Sequence, residues 1–322
     1  MEDTLIFGPV PSRRLGKSIG INNIPPKHCS YSCLYCQLGK GPAMVRKRKE
    51  FYDPNLLIQK TREKIKKAES NGETIDYLTI VSDGEPTLDQ NLGILLRGLA
   101  PLGFKMAVIT NSSLLANPEV REDLAPAHWV SVKIDSLNEK IWRQMDRPCK
   151  GIEFHGIQEG LLAFARGYQG QLVTETMLIR GKNDAPQDLE QTAAFIKTLD
   201  PTLSYVGIPT RPPAVNFALP PGEESINRAF QIFCDHGLQT EYLIGYEGNQ
   251  FAFTGDLESD ILSITAVHPM REDAVQTYLD KAGKSLEDLA PLVREGKITI
   301  SQYKGHKFYT RTLAPLEKPS PS

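Results

Sequence analysis

Long apolar runs are missing from this 322-residue chain: no stretch approaches the roughly 20 consecutive apolar residues that a membrane-spanning helix needs. The amino terminus, Met1-Glu2-Asp3-Thr4, lacks the charged and apolar regions of a secretory signal. Neither sign of charge is in excess. Lysine and arginine total 37 against 39 aspartate and glutamate, a formal net charge of −2. That balance excludes a strongly electrostatic nucleic-acid binder and leaves room for a local basic patch. No internal repeat is visible. Cysteine is scarce, and its odd count of five rules out a fully paired disulfide framework. These absences point to a cytoplasmic, reducing compartment in which free thiols persist. Otherwise the composition is that of an ordinary globular chain with a sizeable core. The length suits a barrel plus an appendage.

Three of the five cysteines fall within eight residues, Cys29-Ser30-Tyr31-Ser32-Cys33-Leu34-Tyr35-Cys36, at the spacing C-x3-C-x2-C. Thiols this close pair only with strain. Three thiolates converging from one loop suit a metal cluster. A fully ligated 4Fe–4S cluster takes four cysteines, so three leave one iron open, much as an open position makes a zinc site catalytic. Zinc or buried free cysteines is the competing reading. Zinc needs a fourth ligand, and His28, directly before Cys29, is badly spaced for it.

With Tyr35 just before its last cysteine, the loop resembles the cluster loop of the radical S-adenosylmethionine (radical SAM) superfamily. The resemblance implies that Cys29, Cys33 and Cys36 hold one 4Fe–4S cluster whose open iron binds the amino and carboxylate groups of S-adenosylmethionine. An electron from the cluster then cleaves the sulfonium to a 5′-deoxyadenosyl radical, which abstracts hydrogen from a substrate.

Along the chain, residues 1–26 read as a turn-rich, basic leading segment that contains a short first strand, Ser18–Asn22, ended by Pro25-Pro26. The basic stretch 39–49, with Lys40, Arg46, Lys47, Arg48 and Lys49, is read as a solvated strand; an anion or RNA contact is the alternative. A helix is expected over 54–71, then a buried strand over 77–81 running into Ser82-Asp83-Gly84-Glu85-Pro86-Thr87. That run resembles the superfamily's G-E-P motif, which binds the amino group of S-adenosylmethionine. Gly84 permits close backbone approach, Glu85 supplies negative charge for an ammonium, and Pro86 fixes the turn. Asp83 stands where the usual pattern has a first glycine.

A helix over 88–99 and a strand over 105–113 follow. The Thr110-Asn111-Ser112 end is similar to the family's ribose-contacting strand, and a helix cap at Asn111 or Ser112 is the alternative. The strand 129–135 ends in Asp135, either in the same mouth or as a cap. After a helix over 138–145, Cys149 reads as a loop thiol, with hydrogen-atom donor or extra ligand as the sharper alternatives. A helix includes 161–165. In the strand 172–179, alternation puts Glu175 and Met177 on one face and Thr174, Thr176 and Leu178 on the other. Arg180 follows it, in reach of a carboxylate of S-adenosylmethionine or of a substrate anion. A helix over 188–199 leads to a sixth strand, 204–209, whose backbone contacts adenine in the superfamily. Arg211, in the proline-stiffened loop after it, is either a substrate clamp or a surface residue of a rigid turn.

Six strand–helix alternations predict an α/β fold, a partial (β/α)6 TIM-like barrel, over residues 1–255. A helix over 223–234, with Cys234 read as a core residue on its apolar face beside Ile226 and Phe230, and a strand over 240–243 complete that unit. Residues 256–314 change character. Helices over 256–266, 271–281 and 285–294 precede a hairpin of 298–303 and 306–311 about Lys304-Gly305, the order of a winged-helix-like domain. Residues 315–322 read as a flexible tail. Sequence-specific DNA binding is disfavoured because the third helix carries Glu287, Asp288 and Glu295.

The segments Gly8–Gly16, Cys33–Gly39 and Pro209–Ala214 and the winged-helix-like end are together similar to a group of radical SAM proteins often classed beside the wyosine tRNA-base synthases. Those synthases carry a second cluster on cysteines near the amino terminus, and none precedes Cys29 here. The expectation is a one-cluster radical SAM enzyme. Tyr35, Gly84, Glu85, Pro86, Asn111, Ser112, Asp135 and Arg180 are its cofactor-binding candidates, and Cys149 and Arg211 are weak catalytic ones. A reductant such as flavodoxin or ferredoxin is expected as a partner, and no membrane. RNA (tRNA) base modification, peptide or protein modification, and an iron–sulfur DNA-binding sensor are the alternatives.

Overall fold

A computed structural model describes residues 5–38, 44–243, 251, 256–267 and 269–312. Lys40, His268, the boundary at 255 and the tail 315–322 lie outside the described residues.

The leading segment forms a strand, β1 (Ile6–Ser12), which turns back through Arg13–Leu15 into β2 (Gly16–Ile21). Pro9 and Pro11 conceal β1 in the sequence, because proline donates nothing to a ladder. An edge strand tolerates it, and the β1–β2 register shifts between Phe7 and Val10. Helix α1 (Pro54–Ser70) starts at an Asp53 cap with proline in its first turn, and buries Leu57, Thr61, Ile65 and Ala68 along one stripe.

The chain then alternates through β3 (Tyr77–Ile80), α2 (Leu92–Leu99), β4 (Lys105–Thr110), α3 (Pro118–Leu124), β5 (Trp129–Lys133), α4 (Glu139–Met145), α5 (Phe154–Gly167), β6 (Gln171–Met177), α6 (Pro186–Thr198), β7 (Leu203–Gly207), α7 (Glu223–Asp235) and β8 (Thr240–Leu243). Helix α2 starts four residues later than expected, after a 3-10 turn at Pro86–Leu88. Helix α3, capped by Asn117, was not foreseen. Cys234 is half-buried rather than a core residue.

The eight strands lie in chain order in one sheet. The β1–β2 pair is antiparallel and every later neighbour is parallel. The expected six parallel strands become seven, because β8 pairs with β7 in the same sheet. The sheet is curled. Leu15, in the turn at one edge, packs with Trp129, Tyr205 and Leu243, the last on the opposite edge strand. Arg13 Nη1 also donates to the Leu243 carbonyl at 2.9 Å across the seam.

The carboxyl-terminal part contains α8 (Leu257–Val267), β9 (Met270–Arg271), α9 (Glu272–Ala282), α10 (Ala290–Arg294), β10 (Ile298–Tyr303) and β11 (His306–Arg311). The β10–β11 hairpin turns at Lys304 and Gly305, both with positive φ, and β9 adds a third antiparallel strand beside β11. Its apolar core, with Ile261, Ile264, Tyr278 and Leu292, is continuous with Phe7 and Val10 of β1. Lys64 of α1 meets Asp260 of α8 at 3.3 Å, and the Tyr303 hydroxyl donates to the Pro209 carbonyl at 3.2 Å.

Candidate active site

The cluster loop follows β2 at the carboxyl end of the parallel strands, where β/α barrels carry their functional loops. Backbone hydrogen bonds hold it on two sides. Lys27 N–H donates to Asp83 O at 2.6 Å and Glu85 N–H to His28 O at 2.9 Å, which ties it to the loop after β3. Ser32 N–H donates to Asp146 O and Leu34 N–H to Met145 O, which ties it to the end of α4.

A cavity of about 380 Å³ opens between these loops and runs into the barrel interior. Cys29, Cys33 and Cys36 line it, as do Tyr35, Gly84, Glu85, Asn111 and Arg211. The sequence therefore brings eight of its candidates to one surface, counting the cysteines.

Glu85 is held by four donors. Oε1 accepts from the Thr87 and Thr110 hydroxyls, each at 2.6 Å, and from Thr87 N–H at 3.1 Å; Oε2 accepts from Asn111 N–H at 2.7 Å. Burial pushes the carboxyl up and these donors pull against it. Oε2, with a single donor, keeps capacity to accept from a cation in the cavity. Pro86 opens the 3-10 turn that Glu85 caps, and its carbonyl accepts from Asn23 Nδ2 at 3.1 Å. Asn111 donates through Nδ2 to Ser30 Oγ at 2.9 Å and to Cys29 Sγ at 3.5 Å.

Five candidates are not brought to the cavity; Pro86, in the turn behind Glu85, is the first of them. Ser112 is buried, and its hydroxyl accepts from Lys133 N–H at 3.0 Å, joining the loop after β4 to the end of β5. Asp135 accepts from the Tyr35 hydroxyl and, at 3.0 Å, from Met177 N–H, so its carboxylate is consumed behind the cluster loop. Neither Asn111, Ser112 nor Asp135 caps a helix; α3 and α4 are capped by Asn117 and Asn138. Arg180 is exposed and donates to the Pro220 carbonyl, because the chain has left the strand face by that point. Cys149 lies outside the cavity: its N–H donates to Ser30 O, and its Sγ faces Met44 O at 3.6 Å.

In the basic stretch, Arg48 is tied to the Thr87 and Asp89 carbonyls and to Asp123, which fixes it as a brace rather than a free cation. Arg211 is in the cavity wall, donating to Gln37 Oε1 at 2.7 Å. Lys133 was missed from sequence. It lines the cavity and reaches Cys33 Sγ at 3.4 Å. The signal was there: Ser131 and Lys133 alternate with Val130, Val132 and Ile134 in a strand that is otherwise apolar.

The donor set fits an iron–sulfur cluster better than a single ion. Among the described residues, no three His, Cys, Asp or Glu side chains are disposed to grip one metal ion. A cubane asks for something else, since each thiolate binds its own iron at its own corner. Burial pushes the Cys29 thiol up to about 12, with Glu85 adding to the effect, and raises Cys33 and Cys36 too. Bare, the loop is a set of neutral thiols; bound iron supplies the positive charge that makes them thiolates.

A profile of the radical SAM superfamily matches residues 23–196. The chain is 43% identical to the UPF0026 protein MJ1312 of Methanocaldococcus jannaschii over 98% of both chains. Among solved structures it resembles TYW1 with a lysine–pyruvate adduct bound, with a TM-score of 0.55 and 17% identity, covering 69% of this chain and 75% of that one. It also resembles a radical SAM methyltransferase from Sphaerobacter thermophilus, with a TM-score of 0.54 and 18% identity, covering 70% of this chain and 66% of that one. At such identities the two structures speak for the fold alone. With its cluster-loop spacing, its curled parallel sheet and these matches, the chain belongs to the radical SAM superfamily, alongside the UPF0026 proteins.

Proposed function

We propose that this protein is a one-cluster radical SAM enzyme, with Cys29, Cys33 and Cys36 as the cluster ligands. One observation carries the reading: the three thiols share a cavity wall with Glu85 and Asn111, the carboxylate and amide suited to the polar end of S-adenosylmethionine. When bound, the cluster and S-adenosylmethionine supply a one-electron cleavage of the sulfonium to a 5′-deoxyadenosyl radical, which takes hydrogen from a substrate. The chain's own residues bind, orient and shield.

Glu85 Oε2, which takes one hydrogen bond from Asn111 N–H, would accept from the cofactor's ammonium. Asn111 Nδ2 steadies Cys29 through its hydrogen bond. Tyr35 closes the wall behind the loop, its hydroxyl held by Asp135. Arg211 stands in the wall as a contact for an anionic group of the substrate. Ion pairing between Arg14 and Glu175 in the cavity lining keeps those charges satisfied and the cavity walls polar. The electron comes from an external low-potential donor of the flavodoxin or ferredoxin kind. No helix among the described residues is long and apolar enough to cross a membrane. Residues 256–312 are read as a winged-helix-like unit that docks a substrate or partner at the barrel mouth, a reading supported by the contact of Tyr303 with Pro209.

Electron paramagnetic resonance of the anaerobically reconstituted, dithionite-reduced protein tests this reading. Adding S-adenosylmethionine should change the cluster signal, and Glu85→Gln should blunt the change at limiting cofactor. An unchanged signal at saturating cofactor contradicts it.

A further inference from the structure

Lys133 is the last residue of β5 and has no role in the reading above. Its ammonium is gripped on one side by Asp146 and by Asp135, the latter at 3.1 Å. On the other side it reaches Cys33 Sγ at 3.4 Å. The rings of Tyr35 and Tyr31 face it, with centroids at 4.8 and 5.5 Å. Its side chain is only 17% exposed, at the cavity wall. Two carboxylates facing one ammonium hold it there as an ion pair.

Every aliphatic or neutral residue would fill this space without two buried carboxylates to hold it. A cation kept at a cluster thiolate by such a clamp has an electrostatic consequence. Reduction adds one electron to the cluster and no proton to Lys133, which carries its charge in both states. A fixed positive charge in a low-dielectric wall stabilises the more negative, reduced state.

We infer that Lys133, clamped by Asp135 and Asp146, is a positioning residue that raises the reduction potential of the cluster on Cys29, Cys33 and Cys36 and so eases its reduction by the external donor. This rests on the cluster reading above. Its failure is separable from the failure of that reading, because the potential is measured on the cluster-loaded protein without S-adenosylmethionine.

The test is a redox titration followed by electron paramagnetic resonance, with iron and sulfide content matched among wild type, Lys133→Met, Lys133→Arg and Asp146→Asn. Lys133→Met should move the midpoint to more negative potential, and Lys133→Arg should restore it towards wild type. Asp146→Asn removes a negative charge but keeps an acceptor for Lys133. It should move the midpoint the opposite way, which keeps the test decisive if Lys133→Met does not fold. A midpoint unmoved in Lys133→Met and Asp146→Asn overturns the inference, as does an equal shift in Lys133→Met and Lys133→Arg. So does a Lys133→Met variant whose sole defect is weaker binding of S-adenosylmethionine, which makes Lys133 a cofactor ligand instead. A wild type that holds no cluster removes the reading beneath it as well.

Discussion

Gly84 lies directly against the His28 carbonyl: a Cβ at Gly84 would stand 1.8 Å from that oxygen. The two loops are locked there by the adjacent Glu85 N–H to His28 O bond, so the collision falls on backbone that cannot swing away. Gly84→Ala should push the cluster loop off the loop after β3. Iron bound after reconstitution should drop several-fold while circular dichroism stays near wild type. Full iron occupancy in Gly84→Ala would show that the contact does not position the cysteines.

Glu85 is the group assigned to the cofactor's ammonium. Glu85→Gln keeps an acceptor for Thr87 and Thr110 and removes the charge. It should leave cluster content intact and weaken S-adenosylmethionine binding by roughly ten- to a hundredfold, the loss expected of a charged hydrogen bond worth about 1.5–3 kcal/mol. Equilibrium dialysis against labelled cofactor measures it; equal affinity would remove Glu85 from the binding site.

Asp83 gives a pH signature. Burial raises its carboxyl from the usual 3.8 to about 6, with an Asn22 hydrogen bond and the Arg311 guanidinium opposing the rise. The folded chain thus holds this proton more tightly than the unfolded chain. The stability this contributes is fully present below about pH 4 and is lost as the pH rises through about 6, at most about 3 kcal/mol. Asp83→Asn should flatten the melting temperature between those pH values and stabilise the protein relative to wild type at pH 7. A parallel profile in the two proteins would contradict the assignment.

Asp260 accepts from Tyr278 and pairs with Lys64, and it is 3% exposed. Asp260→Ala leaves a buried hydroxyl and a mostly buried ammonium without this partner. Global stability should fall by about 3 kcal/mol, read from urea unfolding. A loss under about 0.5 kcal/mol, the range of an ordinary surface change, would mean that this contact does not fasten the carboxyl-terminal unit to α1.

Much of this was legible because it is local. The cysteine spacing and the Gly84-Glu85-Pro86 run name their own chemistry, and the alternating strands and helices carry their periods in the open. What was hidden depends on partners distant in sequence. Pro9 and Pro11 disguise β1, whose fit at the sheet edge is visible only once β2 is beside it. Ser112 and Asp135 sit at strand ends, as cofactor contacts would, but their polar atoms are taken by Lys133, Tyr35 and Met177. Arg180 stands just beyond β6, where alternation no longer fixes which way a side chain points. Lys133 reads as a stray charge until Asp135 and Asp146 are found around it.

The most direct test of the central claim is turnover without a substrate. Anaerobically reconstituted protein, dithionite and S-adenosylmethionine are combined, and 5′-deoxyadenosine is measured by mass spectrometry beside a Cys29, Cys33, Cys36→Ala triple variant. The account predicts 5′-deoxyadenosine from the intact protein and none from the variant, with cell extract supplied in a parallel reaction to provide a substrate where cleavage requires one. Intact cluster with no 5′-deoxyadenosine in either reaction, or equal amounts from the variant, would contradict it.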